Sequence, residues 1–291
     1  MSRPKIAVFA YSEVGAACLE ELVRNGANVI KVYTHDDDPD ETIWFRSVHE
    51  IAERAGIPAS APEKFGKAEI AEFQALGAEL LFSFYYRKLI PAAVISLPRL
   101  GAYNMHGALL PRYRGRACVN WAVLNGESET GATLHAMTDE PDKGGIVAQE
   151  AVPILFADTA LDVSLKVAEA ARSVLARSLP ALEAGTAALT PQDERLATYY
   201  GRRRPEDGRI NWSKSAVEIY NLVRAVTRPF PGAFTEISGR RYYIWSAEPA
   251  GGRAAPGRIV CREPLTVGTG YGLLKIIEIE PALPPEGEFF K

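Results

Sequence analysis

Ile6-Ala7-Val8-Phe9-Ala10-Tyr11-Ser12-Glu13-Val14-Gly15-Ala16-Ala17-Cys18-Leu19 is the stretch whose pattern sets the fold class. Ile6, Ala7, Val8 and Phe9 form an apolar run of the kind found in a strand covered on both faces, whereas Ala16, Cys18, Leu19 and Leu22 recur at helical spacing over 15–23. A buried strand passing directly into a helix opens a βαβ unit. The alternation continues with a strand at 29–33, a helix at 47–55 stopped by Gly56 and Pro58, a helix at 70–76, a strand at 80–84 and a short helix at 92–96. The expected architecture is therefore α/β, with a Rossmann-like, mostly parallel sheet. The turn after the first strand reads Ala10-Tyr11-Ser12-Glu13-Val14-Gly15 and lacks the Gly-x-Gly-x-x-Gly fingerprint, which disfavours a nicotinamide oxidoreductase.

Further along, 114–124 is expected to be helical. Strands at 132–137 and 146–152 pair across a turn containing Asp142-Lys143-Gly144-Gly145. Asp158 is the expected cap of a long helix ending near 182, with Leu161, Val163, Leu165, Val167 and Ala168 near its apolar face. Polar residues rich in Arg, Pro and Gly over 192–209 suit a linker or an ordered loop between domains. A helix at 215–226 then leads into short strand-like runs at 234–237, 241–246, 257–261, 265–267 and 273–279, the pattern of a small OB-like β-barrel. The expected division is a catalytic domain over 1–200 and a small barrel domain with its leading helix over 201–291. The final residues, Glu286-Gly287-Glu288-Phe289-Phe290-Lys291, present two aromatics expected to be exposed.

With 291 residues, 47% of them hydrophobic, the chain can bury a large core. No apolar run approaches the roughly 20 residues of a membrane helix, and the start reads as strand rather than signal sequence, so a cytoplasmic location is expected. The three cysteines, Cys18, Cys118 and Cys261, are far apart and fit a reducing compartment. Net charge is −3 with no extended basic face, which weighs against a nucleic-acid substrate. Two local clusters, Arg112, Arg114 and Arg116 and then Arg202, Arg203 and Arg204, suit a compact anion such as a diphosphate. The histidines His35, His49, His106 and His135 show no metal-ligand spacing, and Asp36-Asp37-Asp38 reads as a solvated loop; no metal is expected. The sequence carries no signal for an oligomeric state.

The chemistry concentrates in Asn104-Met105-His106-Gly107-Ala108-Leu109-Leu110-Pro111-Arg112-Tyr113-Arg114-Gly115. Asn104 and His106 are two apart on an extended segment and so face the same way. An amide beside an imidazole makes an oxyanion clamp and proton shuttle for attack on a carbonyl, and a carboxylate from a second loop, Asp142, would orient the ring. The residues alone leave a second reading open, in which His106 is a packed turn histidine and Asp142 a solvated acid.

The whole pattern resembles the N10-formyltetrahydrofolate-dependent formyltransferases, whose signature is Asn-x-His-x-Ser-Leu-Leu-Pro-x-Tyr/Trp-Arg-Gly with a distant Asp before Gly. Ala108 in place of the usual serine is the one departure, and it puts a hydrogen bond in doubt rather than the chemistry. Within the family the resemblance is greatest to formyltransferase domains acting on UDP-4-amino-4-deoxy-L-arabinose, as found in bifunctional polymyxin-resistance enzymes of lipid A modification. It runs through Tyr33-Thr34-His35, Phe82-Ser83-Phe84-Tyr85-Tyr86-Arg87, Gly201-Arg202-Arg203 and Asn221-Leu222-Val223-Arg224-Ala225, and thins after about residue 250.

The resemblance implies that Asn104, His106 and Asp142 are catalytic, with Asn104 donating to the oxyanion, His106 handling the proton and Asp142 orienting the histidine. It implies a folate co-substrate held by Lys88, Leu89, Ile90, Arg116 and the loop Thr138, Asp139, Glu140, Pro141 and Asp142. For a UDP-linked aminosugar, Arg203, Arg204 and Arg224 are candidates for the diphosphate, and Tyr199, Tyr200 and Trp212 for the uracil. The implied reaction is formyl transfer to the sugar amine. The alternatives are another nucleotide aminosugar, methionyl-tRNA, or release of formate from the folate.

Overall fold

The computed structural model describes residues 3–39, 41–237, 239–282 and 290. They fall into two compact units: the first takes the described residues within 1–118, 129–153 and 164–200, the second those within 119–128, 154–163 and 201–291.

In the first unit, β1 (Ile6–Ala10), β2 (Val29–Tyr33), β3 (Ala59–Ser60), β4 (Leu80–Phe84) and β5 (Ala102–His106) are parallel. After the two-residue β6 (Arg114–Gly115) come β7 (Glu129–Ala136) and β8 (Ile146–Pro153), which add antiparallel at the edge and give the order β3-β2-β1-β4-β5-β7-β8. Every residue of β1 and of β4 is buried, as expected for central strands covered on both faces. One layer of the core packs Phe9, Tyr33, Phe73, Leu81 and Val94 together, with the Phe9 and Tyr33 rings stacked at 4.7 Å.

Helices α1 (Ser12–Arg24), α2 (Val48–Arg54), α3 (Lys67–Leu76) and α4 (Ala92–Ile95) follow the parallel strands. Ser47 caps α2 by accepting from the Glu50 N–H, and Gly77, at φ 61°, closes α3. Strand order reverses about β1, whose neighbours are β2 and β4. Ligand sites in such sheets lie beyond the carboxyl ends of the strands near that reversal.

Three local expectations are corrected. The segment 114–124 is not one helix: β6 pairs with β9 (Tyr199–Tyr200), and α5 (Cys118–Leu124) starts four residues later. The long helix, α6 (Ala160–Glu183), is capped by Thr159 rather than Asp158. Thr159 and Asp162 exchange reciprocal hydrogen bonds, while Asp158 accepts from the Leu155 N–H. Leu165 is 45% exposed and lies off the apolar face.

In the second unit, Ser215 and Glu218 form a capping box that starts α7 (Ala216–Val226). The strands β10 (Ala233–Ile237), β11 (Arg240–Ala250), β12 (Ile259–Arg262), β13 (Leu265–Gly268) and β14 (Leu273–Glu280) form an antiparallel sheet ordered β10-β11-β14-β13-β12. The small antiparallel β domain expected after the parallel sheet is thus present. Phe290 is buried and stacked on Trp212 at 5.3 Å, against the expectation of an exposed aromatic; Phe289 lies outside the described residues.

Candidate active site

The site begins with strand register. β5 runs antiparallel to β7 with Asn104 opposite His135 and His106 opposite Thr133. Alternation along each strand puts these four side chains on one face, while Met105 and Leu134 turn to the other and are buried. His106 is 6% exposed and His135 2%.

Asp142 enters from the loop between β7 and β8. Its backbone sits in the left-handed region at φ 60°, where a non-glycine residue is strained and must be held by its surroundings. Two contacts hold it. One carboxylate oxygen accepts from the Gly115 N–H at 2.9 Å, and the Asp142 carbonyl accepts from the Gln192 amide at 2.8 Å. The other carboxylate oxygen lies 3.6 Å from His106 Nδ1 and 3.7 Å from His135 Nε2. Asn104, His106 and Asp142 therefore converge at the carboxyl end of β5, together with His135, to which the sequence pattern assigns no catalytic role.

The ring nitrogens are assigned by their carbonyl partners. His106 Nε2 donates to the Tyr113 carbonyl at 2.8 Å, so Nδ1, facing Asp142, is the nitrogen able to take or release a proton. His135 Nδ1 donates to the Ala136 carbonyl at 2.9 Å, which leaves Nε2 to accept from the Asn104 amide nitrogen at 3.1 Å. Burial, and then the nearby His106, lower the His135 pKa to about 4.

A stability prediction follows from that depression. Below the ordinary value of 6.5 an unfolded chain binds a proton at His135 that the folded chain refuses until about pH 4. The contribution of His135 to stability is complete above pH 6.5 and declines toward pH 4, with a slope of at most about 1.4 kcal/mol per pH unit. Urea unfolding across this window should show a shallower pH dependence for His135→Leu than for the parent. Equal slopes would rule out a neutral buried imidazole.

Threonine and glutamine stitch the motif loop after β5. Thr133 Oγ1 donates to the Ala108 carbonyl at 2.6 Å and accepts from the Leu110 N–H at 3.2 Å. The Gln149 amide donates to the Leu110 carbonyl and to Thr133 Oγ1, each at 2.8 Å. With Ala108 fully buried, Thr133 anchors the loop at the departure from the family motif. Gly107 is required by close approach, because a Cβ there would stand 1.6 Å from the Tyr85 hydroxyl.

Arg114 does not serve as an anion ligand. Its side chain is fully buried. It forks onto Glu194 at 2.6 and 2.8 Å, donates to Gln192 Oε1 at 2.7 Å and bonds the Tyr199 hydroxyl. The segment expected to be a linker is thus, over 192–200, a strap on the first unit. Gln192 takes hydrogen bonds from Arg114 and gives its own to the Asp142 and Gly144 carbonyls.

The remaining candidates divide. Lys88 is committed to the Pro62 and Glu63 carbonyls, at 3.0 and 2.8 Å. Leu89 is 78% exposed, and Ile90 is buried in the core. Arg116 and the loop residues Thr138, Asp139, Glu140 and Pro141 are exposed. Within that loop Thr138 Oγ1 donates to the Glu140 carbonyl at 2.8 Å, and Glu140 pairs with Lys143. Tyr199 is 59% exposed beyond its Arg114 bond, and Tyr200 stacks on Tyr113 at 4.7 Å. In the second unit Arg203 lies over the Trp121 ring at 4.8 Å, and Arg204 is exposed.

Two of the substrate candidates are buried and hydrogen-bonded within the second unit. Arg224 is 6% exposed and donates to Asn221 Oδ1 and the Asp158 carbonyl, both at 2.9 Å, so its guanidinium acts inside the second unit. Trp212 is 5% exposed and donates to Thr235, which makes it core rather than a uracil platform. In the Asp36-Asp37-Asp38 run, Asp37 accepts from the Tyr11 hydroxyl at 2.9 Å. Among the described residues no helix is long and apolar enough to cross a membrane.

The cluster lies at the carboxyl end of β5 in a mostly parallel sheet. Residues 4–179 match the formyl transferase family and residues 203–285 the formyl transferase C-terminal domain; the chain belongs to this family and is a formyltransferase. Its fold is similar to that of an N-formyltransferase from Helicobacter canadensis solved with folinic acid and dTDP-3-aminofucose, at 19% identity and TM-score 0.74 over 94% of this chain and 99% of that one. It is similar also to WlaRD, a sugar 3N-formyl transferase solved with dTDP and 5-N-formyl-THF, at 20% identity and TM-score 0.73 over 97% and 100% of the two chains. HypX from Aquifex aeolicus, solved with tetrahydrofolic acid, matches 96% of this chain with 44% of its own, at 21% identity and TM-score 0.67.

Proposed function

We propose that this protein transfers the formyl group of N10-formyltetrahydrofolate to the amine of a nucleotide-linked aminosugar, with UDP-4-amino-4-deoxy-L-arabinose as acceptor. The observation that carries the reading is the convergence of Asn104, His106 and Asp142, with the Asp142 carboxylate pinned by Gly115 and facing the free nitrogen of His106. Family membership and the folate and nucleotide-sugar ligands of the similar structures support the donor and the acceptor class. Net charge of −3 argues against a tRNA acceptor. Residues 1–200 form the catalytic domain in this reading, and 201–291 the small C-terminal domain with its leading helix.

Mechanistically, the neutral sugar amine attacks the formyl carbon, the formyl oxygen gains charge, and folate N10 leaves with a proton. An Asn104 N–H directed at that oxygen stabilises the charge where it develops, an effect worth roughly 3 kcal/mol in comparable sites. His106 Nδ1 takes the proton lost by the amine and returns it to N10. The adjacent Asp142 carboxylate stabilises the imidazolium formed between the two steps. Arg203 and Arg204 are the cations this reading keeps for the diphosphate.

The experiment is a mass-resolved assay with N10-formyltetrahydrofolate against UDP-4-amino-4-deoxy-L-arabinose, the dTDP-linked 3-aminosugars and water. A formyl gain on the arabinose compound alone is the expected result. Gain on a different sugar keeps the chemistry and changes the acceptor, whereas formate release without acceptor makes the protein a hydrolase.

A further inference from the structure

In the proposed reaction Asn104 helps only if its nitrogen, not its carbonyl, faces the formyl oxygen, since an amide oxygen there would repel the developing charge. The two ends of a carboxamide have almost the same shape, so a neighbour must decide between them. Register supplies that neighbour. Asn104 stands directly across from His135, whose Nδ1–H is already committed to the Ala136 carbonyl, and whose Nε2 lone pair can be satisfied only by a donor. The Asn104 amide nitrogen is that donor, at 3.1 Å. The flipped amide would set oxygen against lone pair beside a ring that is 2% exposed, where an unsatisfied acceptor is costly.

We propose that His135 is a positioning residue: it fixes the Asn104 carboxamide nitrogen-first, spending one N–H on the imidazole and leaving the second for the formyl oxygen. This rests on the proposed formyl transfer. The groups facing His135 act in both directions. Burial first, then His106 from β5 and Arg114 from β6, disfavour its cation, and together they outweigh Asp142 from the loop and the Ala136 carbonyl, which favour it, so the ring stays neutral. The same Nε2 lies 3.7 Å from Asp142, which places the nitrogen end of the Asn104 amide beside the proton-handling pair.

The test combines kinetics with nitrogen spectroscopy. His135→Leu should lower kcat about tenfold, as a misplaced catalytic group does, with both KM values within roughly twofold. His135→Gln, whose amide oxygen can accept from Asn104, should restore most of the loss. In an Asn104→Ala background His135→Leu should cost nothing further, because the group it positions is gone. A merely structural histidine would give additive losses and no rescue by glutamine; either result, or a leucine variant at parental kcat, overturns the proposal. Long-range proton–nitrogen spectra of the parent should show His135 as the Nδ1–H form, and an Nε2–H form overturns it regardless of activity. A parent that formylates no aminosugar removes the proposed function instead, and the spectrum then decides the His135 assignment alone.

Discussion

His106→Ala is expected to lower turnover by about 10²-fold or more while leaving the chain folded. The imidazole is the one group in the cluster with a nitrogen free to exchange a proton: Nε2 is tied to the Tyr113 carbonyl and Nδ1 faces Asp142 at 3.6 Å. Alanine would remove the proton carrier of the proposed reaction together with one buried hydrogen bond to a backbone carbonyl, a structural loss of about 1–3 kcal/mol that leaves the chain folded. Asp142→Asn separates charge from geometry, because an amide oxygen can still accept from the Gly115 N–H that seats the loop. That variant should keep the parental melting temperature and both KM values and lose most of kcat. Steady-state kinetics with thermal unfolding decides the matter, and near-parental turnover for His106→Ala would remove the residue from the mechanism.

How far the sequence reveals this arrangement depends on how local each determinant is. The parallel strands are legible because continuous runs such as Leu80-Leu81-Phe82-Ser83-Phe84 meet the requirement of a strand buried on both faces. Asn104 and His106 are legible as a pair because two-residue alternation is intrinsic to a strand. His135 is not legible in the same way. It sits in an apolar run, and its meaning depends on a register with β5 that brings it opposite Asn104. Arg114 misleads for a related reason: read in sequence it belongs to an arginine cluster, but it is buried by a two-residue strand pairing with Tyr199 and Tyr200. A bridge that short leaves no periodic signal. The cap of α6 is a smaller instance, since Asp158 and Thr159 are both good capping residues and only the reciprocal bonds with Asp162 choose between them. At Arg224, sequence identifies a cation, whereas availability depends on the acceptors of Asn221 and Asp158 around it.

Arg114→Met is expected to cost about 3 kcal/mol of stability. Methionine fills much of the space left by a fully buried side chain, so the loss is not chiefly a cavity. Neither is it the ion pair alone. The Glu194 side chain is 59% exposed and can return its charge to water, which limits what the fork itself contributes. The cost falls on Gln192, whose carbonyl oxygen loses the Arg114 donors at 2.7 and 3.2 Å, whereas the Tyr199 hydroxyl, on a residue 59% exposed, can turn to water like Glu194. Gln192 is also the residue whose amide holds the Asp142 and Gly144 carbonyls, so loosening the strap at Arg114 should reach the acid loop. Arg114→Met should therefore lower kcat as well as melting temperature, although the guanidinium touches none of Asn104, His106 and Asp142. Gln192→Leu supplies the complement: it keeps the Arg114–Glu194 fork, abandons the two loop carbonyls, and should lose less stability than Arg114→Met but a comparable share of kcat. Chemical unfolding beside kcat for the two variants checks the ordering. Parental stability in Arg114→Met would mean that the strap holds without its cation, and an unimpaired kcat in Gln192→Leu would mean that Asp142 keeps its strained backbone on the Gly115 contact alone.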